Sequence, residues 1–455
     1  MIAQILFLLV FATGVFFFAR RVREVRRNIL LGREEARNDR KSERWKVMAW
    51  VALGQSKMVK RPVAGFLHFL IYLGFVIINI EVLEIVIDGL TGQHRIFAQL
   101  GLGPVYDVLI GSFEILAAGV LLACVVFLIR RNVIYIKRFR SKELTGWPKS
   151  DANIILVVEI LLMFAFLSMN AADHLLQQHV AMLAASGAEI SEQLSHYALQ
   201  AGAFPVSQFL FPLYSGMGAD SLVVLERFMW WFHIVGILGF LVYVPYSKHF
   251  HIMMAFPNTW YSKLEPKGQL TNLDAVTREV KLMLDPSADP YAAAPADAAP
   301  VKFGAKDVTD LTWKQLFDAY TCTECGRCSS VCPANQTGKL LSPRKIMMDT
   351  RDRLEEVGKT CDASGQPVED GKSLLRDYIS EEELWACTTC NACVEACPVN
   401  IDPVSIIIDL RRHLIMEESK SPESITAMFN NVENNGAPWA FPAADRGKWV
   451  DELKS

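Results

Sequence analysis

The chain has 455 residues, enough for two to four domains, and 51% of them are hydrophobic, a high share for a soluble protein of this length. The formal net charge is only −3, so the overall balance implies no nucleic-acid partner. Eight of the ten cysteines fall in two short clusters near the C-terminus, which excludes a secreted disulfide framework and points to metal ligation in a reducing compartment.

In chain order, the first element is an apolar stretch over 1–19, followed by arginines. A cleaved signal peptide carries its positive charge before the apolar stretch, so a retained membrane helix with its N-terminus outside is expected. Four more stretches are long enough to cross a hydrocarbon core, which takes about 20 helical residues. They run roughly over 63–87, 105–129, 152–172 and 222–246. Near the far end of the second lie Glu81, Glu84 and Asp88. Charge toward lipid is costly, so these three either mark the interface or face the bundle interior, as solvated helix-end groups or as proton carriers.

The loops set the expected orientation. Fourteen Lys and Arg residues lie between Arg20 and Arg61, and seven between Arg130 and Lys149, whereas 171–220 has none. The positive-inside rule puts the first two loops in the cytoplasm and the last outside, at an inner membrane. Five spans then deliver the C-terminal part to the cytoplasm.

The outer loop, 173–221, shows helical patterning around Ser191–Gln200. A polar segment over 257–285 follows the fifth span. The next stretch, PSADPYAAAPADAAP over 286–300, is rich in Ala and Pro and reads as a linker. The expected domains are therefore a membrane domain, 1–256, a connector, 257–304, and a soluble domain, 305–455, without an alternating strand pattern. The expected fold class is mainly α: a five-helix transmembrane bundle followed by an α-helical ferredoxin-like domain. Helices are expected at Ser342–Val357 and Asp402–Met416, while Cys361 reads as part of a polar loop.

Cys322, Cys325, Cys328 and Cys332 form C-x2-C-x2-C-x3-C ahead of Pro333, and Cys387, Cys390, Cys393 and Cys397 repeat it ahead of Pro398. This is the bacterial [4Fe–4S] spacing, in which the fourth Cys ligates the other cluster of a pair. Cys322, Cys325, Cys328 and Cys397 are thus assigned to one cluster. Cys387, Cys390, Cys393 and Cys332 are assigned to the second. Zinc is the alternative, but its sites usually pair two cysteines with two distant ligands rather than repeat a run of four. The 54 residues between the two motifs imply an insertion relative to a minimal ferredoxin.

Several histidines fall at membrane depth, among them His68, His174, His233 and His251. His233 and His251 are 18 residues apart. On a continuous helix that is five turns, about 27 Å, so one face would offer a ligand near each membrane surface. His68 lies at the level of His251, and His174 at a depth similar to His233. The alternative is that each is a polar interface residue or a hydrogen-bond donor within the bundle. Helical phase favours His251 over His249; His94 and His196 read as loop residues.

The segment His233–Phe256 resembles the fifth helix of the cytochrome b subunit of respiratory nitrate reductases, in the His spacing and in Pro245 six residues before His251. His68 matches the first haem-ligating His of that family's second helix. The resemblance implies haem b held by His68 and His251 on the cytoplasmic side. The family has a further His ten residues on, where this chain has Ile78. The outer haem is thereby left with three alternatives: it is absent, has His233 alone, or recruits His174.

The C-terminal part, about 305–450, resembles the dicluster domain of heterodisulfide reductase subunits and related iron–sulfur oxidoreductases, notably in PVSIIIDLRRHLIMEE after the second motif. Fused relatives carry a catalytic module with CCG motifs; this chain has no Cys-Cys pair, and NNGAPWAFPAADRGKW is similar to the lead-in to that module. The resemblance implies a separate cytoplasmic partner, a CCG-module iron–sulfur subunit or a flavoprotein. The expected function is that of an electron-transfer subunit of a membrane quinone oxidoreductase, moving electrons between that partner, two [4Fe–4S] clusters, haem b and menaquinone or ubiquinone. The alternatives are the membrane subunit of a heterodisulfide-type disulfide-reducing complex, and a cluster-containing redox sensor or assembly factor.

Overall fold

The computed structural model describes residues 1–287 and 302–454; beyond Ser287 the expected linker lies outside the described residues. Among the described residues the chain is helical throughout, and its extended pairing is limited to two isolated bridges, Arg33 with Thr312 and Leu375 with Ile379.

Five helices are long and apolar enough to cross a membrane. They are α1 (Ile2–Ile29), α2 (Pro62–Thr91), α3 (Pro104–Asn132), α4 (Trp147–Ser186) and α5 (Ala219–Tyr243). Their starts and stops follow ordinary helix chemistry. Pro62 and Pro104 sit in the first turn, where a missing N–H costs nothing, and Gly92 and Gly187 end α2 and α4 in the left-handed conformation. Lipid supplies no hydrophobic drive between helices, so close packing holds the bundle. At Gly74 an added Cβ would lie 2.5 Å from Val120, and at Gly236 it would lie 2.7 Å from Leu162.

Two expectations need correction. The fourth helix has 40 residues and runs to Ser186, so His174, just beyond the span expected over 152–172, lies within it. The segment after Ala172 keeps the helical period, burying Leu176 and Val180 against the outer-loop residues Tyr197 and Tyr214. The fifth helix stops at Tyr243, before Pro245, and two single 3-10 turns lead to α6 (His251–Trp260). Pro245 cannot donate an intrahelical hydrogen bond. His233 and His251 are therefore on separate helices, and the five-turn register between them does not exist.

The C-terminal part is built from short helices: α7 (Trp313–Thr321), α8 (Arg327–Val331), α9 (Pro343–Ser364), α10 (Ala392–Ala396) and α11 (Pro403–Met416). Side-chain caps define the longer ones. Ser342 caps α9 and Asp402 caps α11, each with Pro at the first helical position. Cys361, expected in a polar loop, is buried in the last turn of α9, because that helix continues two turns past Val357.

The two halves share a core. Val25 and Ile29 at the end of α1, with Phe250 and Met254, pack with Leu311, Leu316, Ile346, Leu354, Ile406 and Leu410. Polar bonds lock the same seam. Asn28 donates to the Tyr320 hydroxyl at 3.0 Å, Tyr320 donates to Glu355 at 2.6 Å, and Arg21 reaches Glu355 at 2.6 Å. Arg33 N donates to Leu311 O and Trp313 N to Arg33 O. The basic loops between spans are thus the platform on which the cysteine motifs sit.

Candidate functional site

The two cysteine motifs fold alike. Glu324 and Thr389, each two residues after the first Cys, have φ of 55° and 54°. Gly326 and Asn391, each four residues after it, have φ of 68° and 58°. Alternating left-handed residues curl the backbone into a concave loop that turns its N–H groups and thiols inward. Thr389 N donates to Cys387 Sγ at 3.4 Å in this way. After a short helix, Cys332 and Cys397 adopt nearly the same extended conformation, with φ/ψ of −72°/120° and −71°/124°. The helices α8 and α10 pack against each other, which brings the fourth Cys of each motif toward the other loop.

Cys322, Cys325, Cys328, Cys393 and Cys397 line one cavity. Cys332 lies within electrostatic reach of Cys387 and Cys393. All eight are unpaired, and burial pushes the thiols of Cys322 and Cys397 up to about 12 and about 11. Buried thiols of this kind carry charge only when a metal takes the place of the proton. Among the described residues no three His, Cys, Asp or Glu side chains converge as one metal ion requires. A cubane sets its thiolates wider apart than a single ion does, so the donor set fits iron–sulfur clusters. Cys390 is exposed, whereas Cys322, Cys332, Cys393 and Cys397 are buried.

Cationic side chains hold the first loop against the membrane domain. Arg327, just before Cys328, donates to Lys57 O at 3.1 Å, and Lys57 Nζ donates to Cys397 O at 3.2 Å. Arg344, fully buried in α9, reaches Glu143 at 2.6 Å and Arg138 O at 2.8 Å. Glu324 sits between Arg351, at 2.9 Å, and Lys248; burial opposes its ionisation, but these cations hold its carboxyl below the usual range. The sequence reading missed the roles of Glu324 and Arg327; their signal is that each is a charged residue placed inside the cysteine motif.

Beneath this loop, His68 near the start of α2 faces His251 at the start of α6. Their ring centroids are 6.4 Å apart. Two imidazoles on one metal come to about 6 Å, from about 2 Å per metal–nitrogen bond and about 1 Å from nitrogen to centroid on each side. His251 Nδ1 lies 3.0 Å from Lys248 O. A carbonyl only accepts, so Nδ1 carries the proton and Nε2 is left free to ligate. His68 Nδ1 is buried with no partner, and the side chain lies within electrostatic reach of Arg327. These residues fit a bis-histidine haem. His249 packs edge-on to His251 and against Phe240, with Nε2 4.0 Å from Glu159.

His233 and His174 are not brought together. His233 is buried beside Phe166, with Nδ1 unpartnered. His174 stacks on Phe211 and meets Gln178 Nε2 at 2.8 Å. Ile78, in place of a further His, is buried in the bundle core.

Residues 321–401 match the 4Fe-4S dicluster domain family, so the chain carries such a domain. Over 98% of its length the chain is 30% identical to the probable iron-sulfur-binding oxidoreductase FadF of Bacillus subtilis (strain 168). Over 91% it is 26% identical to the EtfAB:quinone oxidoreductase of Syntrophomonas wolfei. It spans 61% and 55% of the lengths of these two relatives. A 120-residue segment is 33% identical to one polypeptide of the ferredoxin/F(420)H(2)-dependent CoB-CoM heterodisulfide reductase of Methanosarcina acetivorans, covering 26% of this chain and 60% of that polypeptide. No solved structure matches the chain. The chain is thus a five-helix membrane protein with a 4Fe–4S dicluster domain and with iron–sulfur oxidoreductases among its homologues.

Proposed function

We propose that this chain is the electron-transfer subunit of a membrane quinone oxidoreductase. Electrons pass between a cytoplasmic partner and menaquinone or ubiquinone through two crossed-ligand [4Fe–4S] clusters and haem b on His68 and His251. The observation that carries the reading is the facing His68–His251 pair, with His68 within electrostatic reach of Arg327 in the loop of clustered thiols. The bound groups supply one-electron carriers. The chain's own residues hold them in order: exposed Cys390 toward a partner, Cys322 and Cys397 inside, and Arg327 and Lys57 bridging to the start of α2. The basic loops that dock this domain argue for a cytoplasmic location and an outside N-terminus. The printed names of the relatives, an iron–sulfur oxidoreductase and a quinone oxidoreductase, support the same reading.

A reduced-minus-oxidised spectrum of the purified protein tests it. A b-type alpha band is expected, lost in His68→Ala and in His251→Ala with cluster absorbance retained. Unchanged haem content in both variants would overturn the assignment. Similarity to heterodisulfide reductases favours a second reading, in which the same wire serves a disulfide-reducing partner. The protein that co-purifies, a flavoprotein or a CCG-module protein, distinguishes the two.

A further inference from the structure

The end of the bundle far from the cysteine motifs holds a buried charge cluster that electron transfer does not use. Glu81, Glu84 and Asp88 are spaced by three and four residues, so all lie on one face of α2. All three are buried, as are Arg95 from the following loop, Glu114 on α3 and Asp173 on α4. Five carboxyl groups therefore surround one guanidinium. Glu226 and Arg227 pair with each other at the start of α5, and His94 meets Asp173 at 3.0 Å.

Counting donors shows which carboxyls are compensated as anions. Asp173 takes Arg95 Nε at 2.5 Å. Asp88 accepts from the backbone N–H of Arg95 at 2.8 Å and of Ile96 at 3.0 Å. Glu114 accepts from Val206 N, Ser207 N and Asn170 Nδ2 at 2.8–3.0 Å. Glu84 accepts from Phe97 N at 2.8 Å and lies 3.1 Å from the Tyr106 hydroxyl. Glu81 differs: it is 2% exposed, and its Oε2 has no partner. It nonetheless faces the cluster, within electrostatic reach of Arg95, Glu84, Glu114 and Asp173. An unpaired carboxylate in such a place is too costly to persist, whereas a carboxylic acid is not.

We propose that Glu81 is a proton-loading site of the membrane domain, holding one proton and exchanging it with solvent by way of the carboxyl groups of Glu84, Asp88 and Asp173 around Arg95. The ligand is the proton itself: the carboxylate takes up H⁺ to become the acid and returns it by the same path. Along α2 the seven residues from Glu81 to Asp88 span about 10 Å, and His94 continues the polar path toward the surface. Reducing a quinone consumes two protons with two electrons, so a chain of the kind proposed above needs such a group; only this use rests on that reading.

Infrared spectroscopy of the full-length protein in lipid nanodiscs tests the site without turnover. The wild type should show a carboxylic-acid C=O band that shifts in D₂O. That band should be lost in Glu81→Gln and kept in Glu84→Gln. Should Glu81→Gln not fold, Glu81→Asp should displace the band. A Glu81→Gln spectrum identical to wild type, a band unmoved by Glu81→Asp, or one that does not shift in D₂O overturns the proposal. Absence of the visible haem band would instead count against the electron-transfer reading and leave this result standing.

Discussion

The contact between Arg344 and Glu143 ties the first cysteine loop to the loop between α3 and α4. Arg344 is fully buried, and its partners are Glu143 at 2.6 Å and the Arg138 carbonyl at 2.8 Å. Replacing it with Ala leaves the Glu143 carboxylate, itself only 13% exposed, without its guanidinium. Removing one partner of a buried pair costs about 3–5 kcal/mol, and partial solvent access to Glu143 puts Arg344→Ala near the lower end, about 3 kcal/mol. Glu143→Ala should cost a similar amount. The double variant should fall short of the sum by about 2 kcal/mol, because the second change relieves the charge stranded by the first. The assay is amide exchange over Lys137–Leu144, which should quicken about a hundredfold in Arg344→Ala, given about 1.4 kcal/mol per factor of ten. Burial opposes ionisation of Glu143, but Arg344 holds its carboxyl below the ordinary value of 4.5. Its folded-state value is the depressed one, so the contribution is full above pH 4.5 and is lost as pH falls through that lower value. Exchange changed less than tenfold, or single effects that simply add, would refute the claim that this pair fastens the loop.

Crossed ligation makes a specific spectroscopic statement: Cys332→Ser should perturb the cluster of the second motif and Cys397→Ser that of the first, and paramagnetic resonance of the reduced protein showing the reverse would reject it. Gly358 on α9 lies under Asn28, where an added Cβ would come within 2.4 Å of the amide, so Gly358→Leu should open the α1 seam and expose Tyr320 to proteolysis. Arg353 chelates Asp307 and Asp370, and its bonds hold the Asp370 carboxyl down at about 2. Its loss should cost about 1.5–3 kcal/mol in chemical denaturation, the usual worth of hydrogen bonds to charged groups. In the wild type Asp370 stabilises fully above its ordinary value of 3.8, and that stabilisation should fade as pH falls toward about 2; an Arg353→Ala protein with the same acid profile would contradict this.

The amino-acid sequence by itself determined what depends on local chemistry and spacing. The five apolar stretches specify five helices, because no other open structure satisfies the backbone in lipid. The repeated C-x2-C-x2-C-x3-CP runs specify two like loops, and Ser342 and Asp402 mark helix starts by their own side-chain bonds. Tertiary structure decided what depends on contacts between distant segments. Pro245 was visible and ends α5 by its missing N–H, but that the chain then carries His251 to His68 depends on Val244, Phe250 and Met254 packing into the core shared with the soluble part, not on helical period. The length of α4 was likewise set by outer-loop tyrosines that cover Leu176 and Val180. Arg95 is one arginine in a short loop by sequence. Only the tertiary fold turns it back among carboxyls from α2, α3 and α4, where removal from water makes each missing hydrogen bond decisive and singles out Glu81.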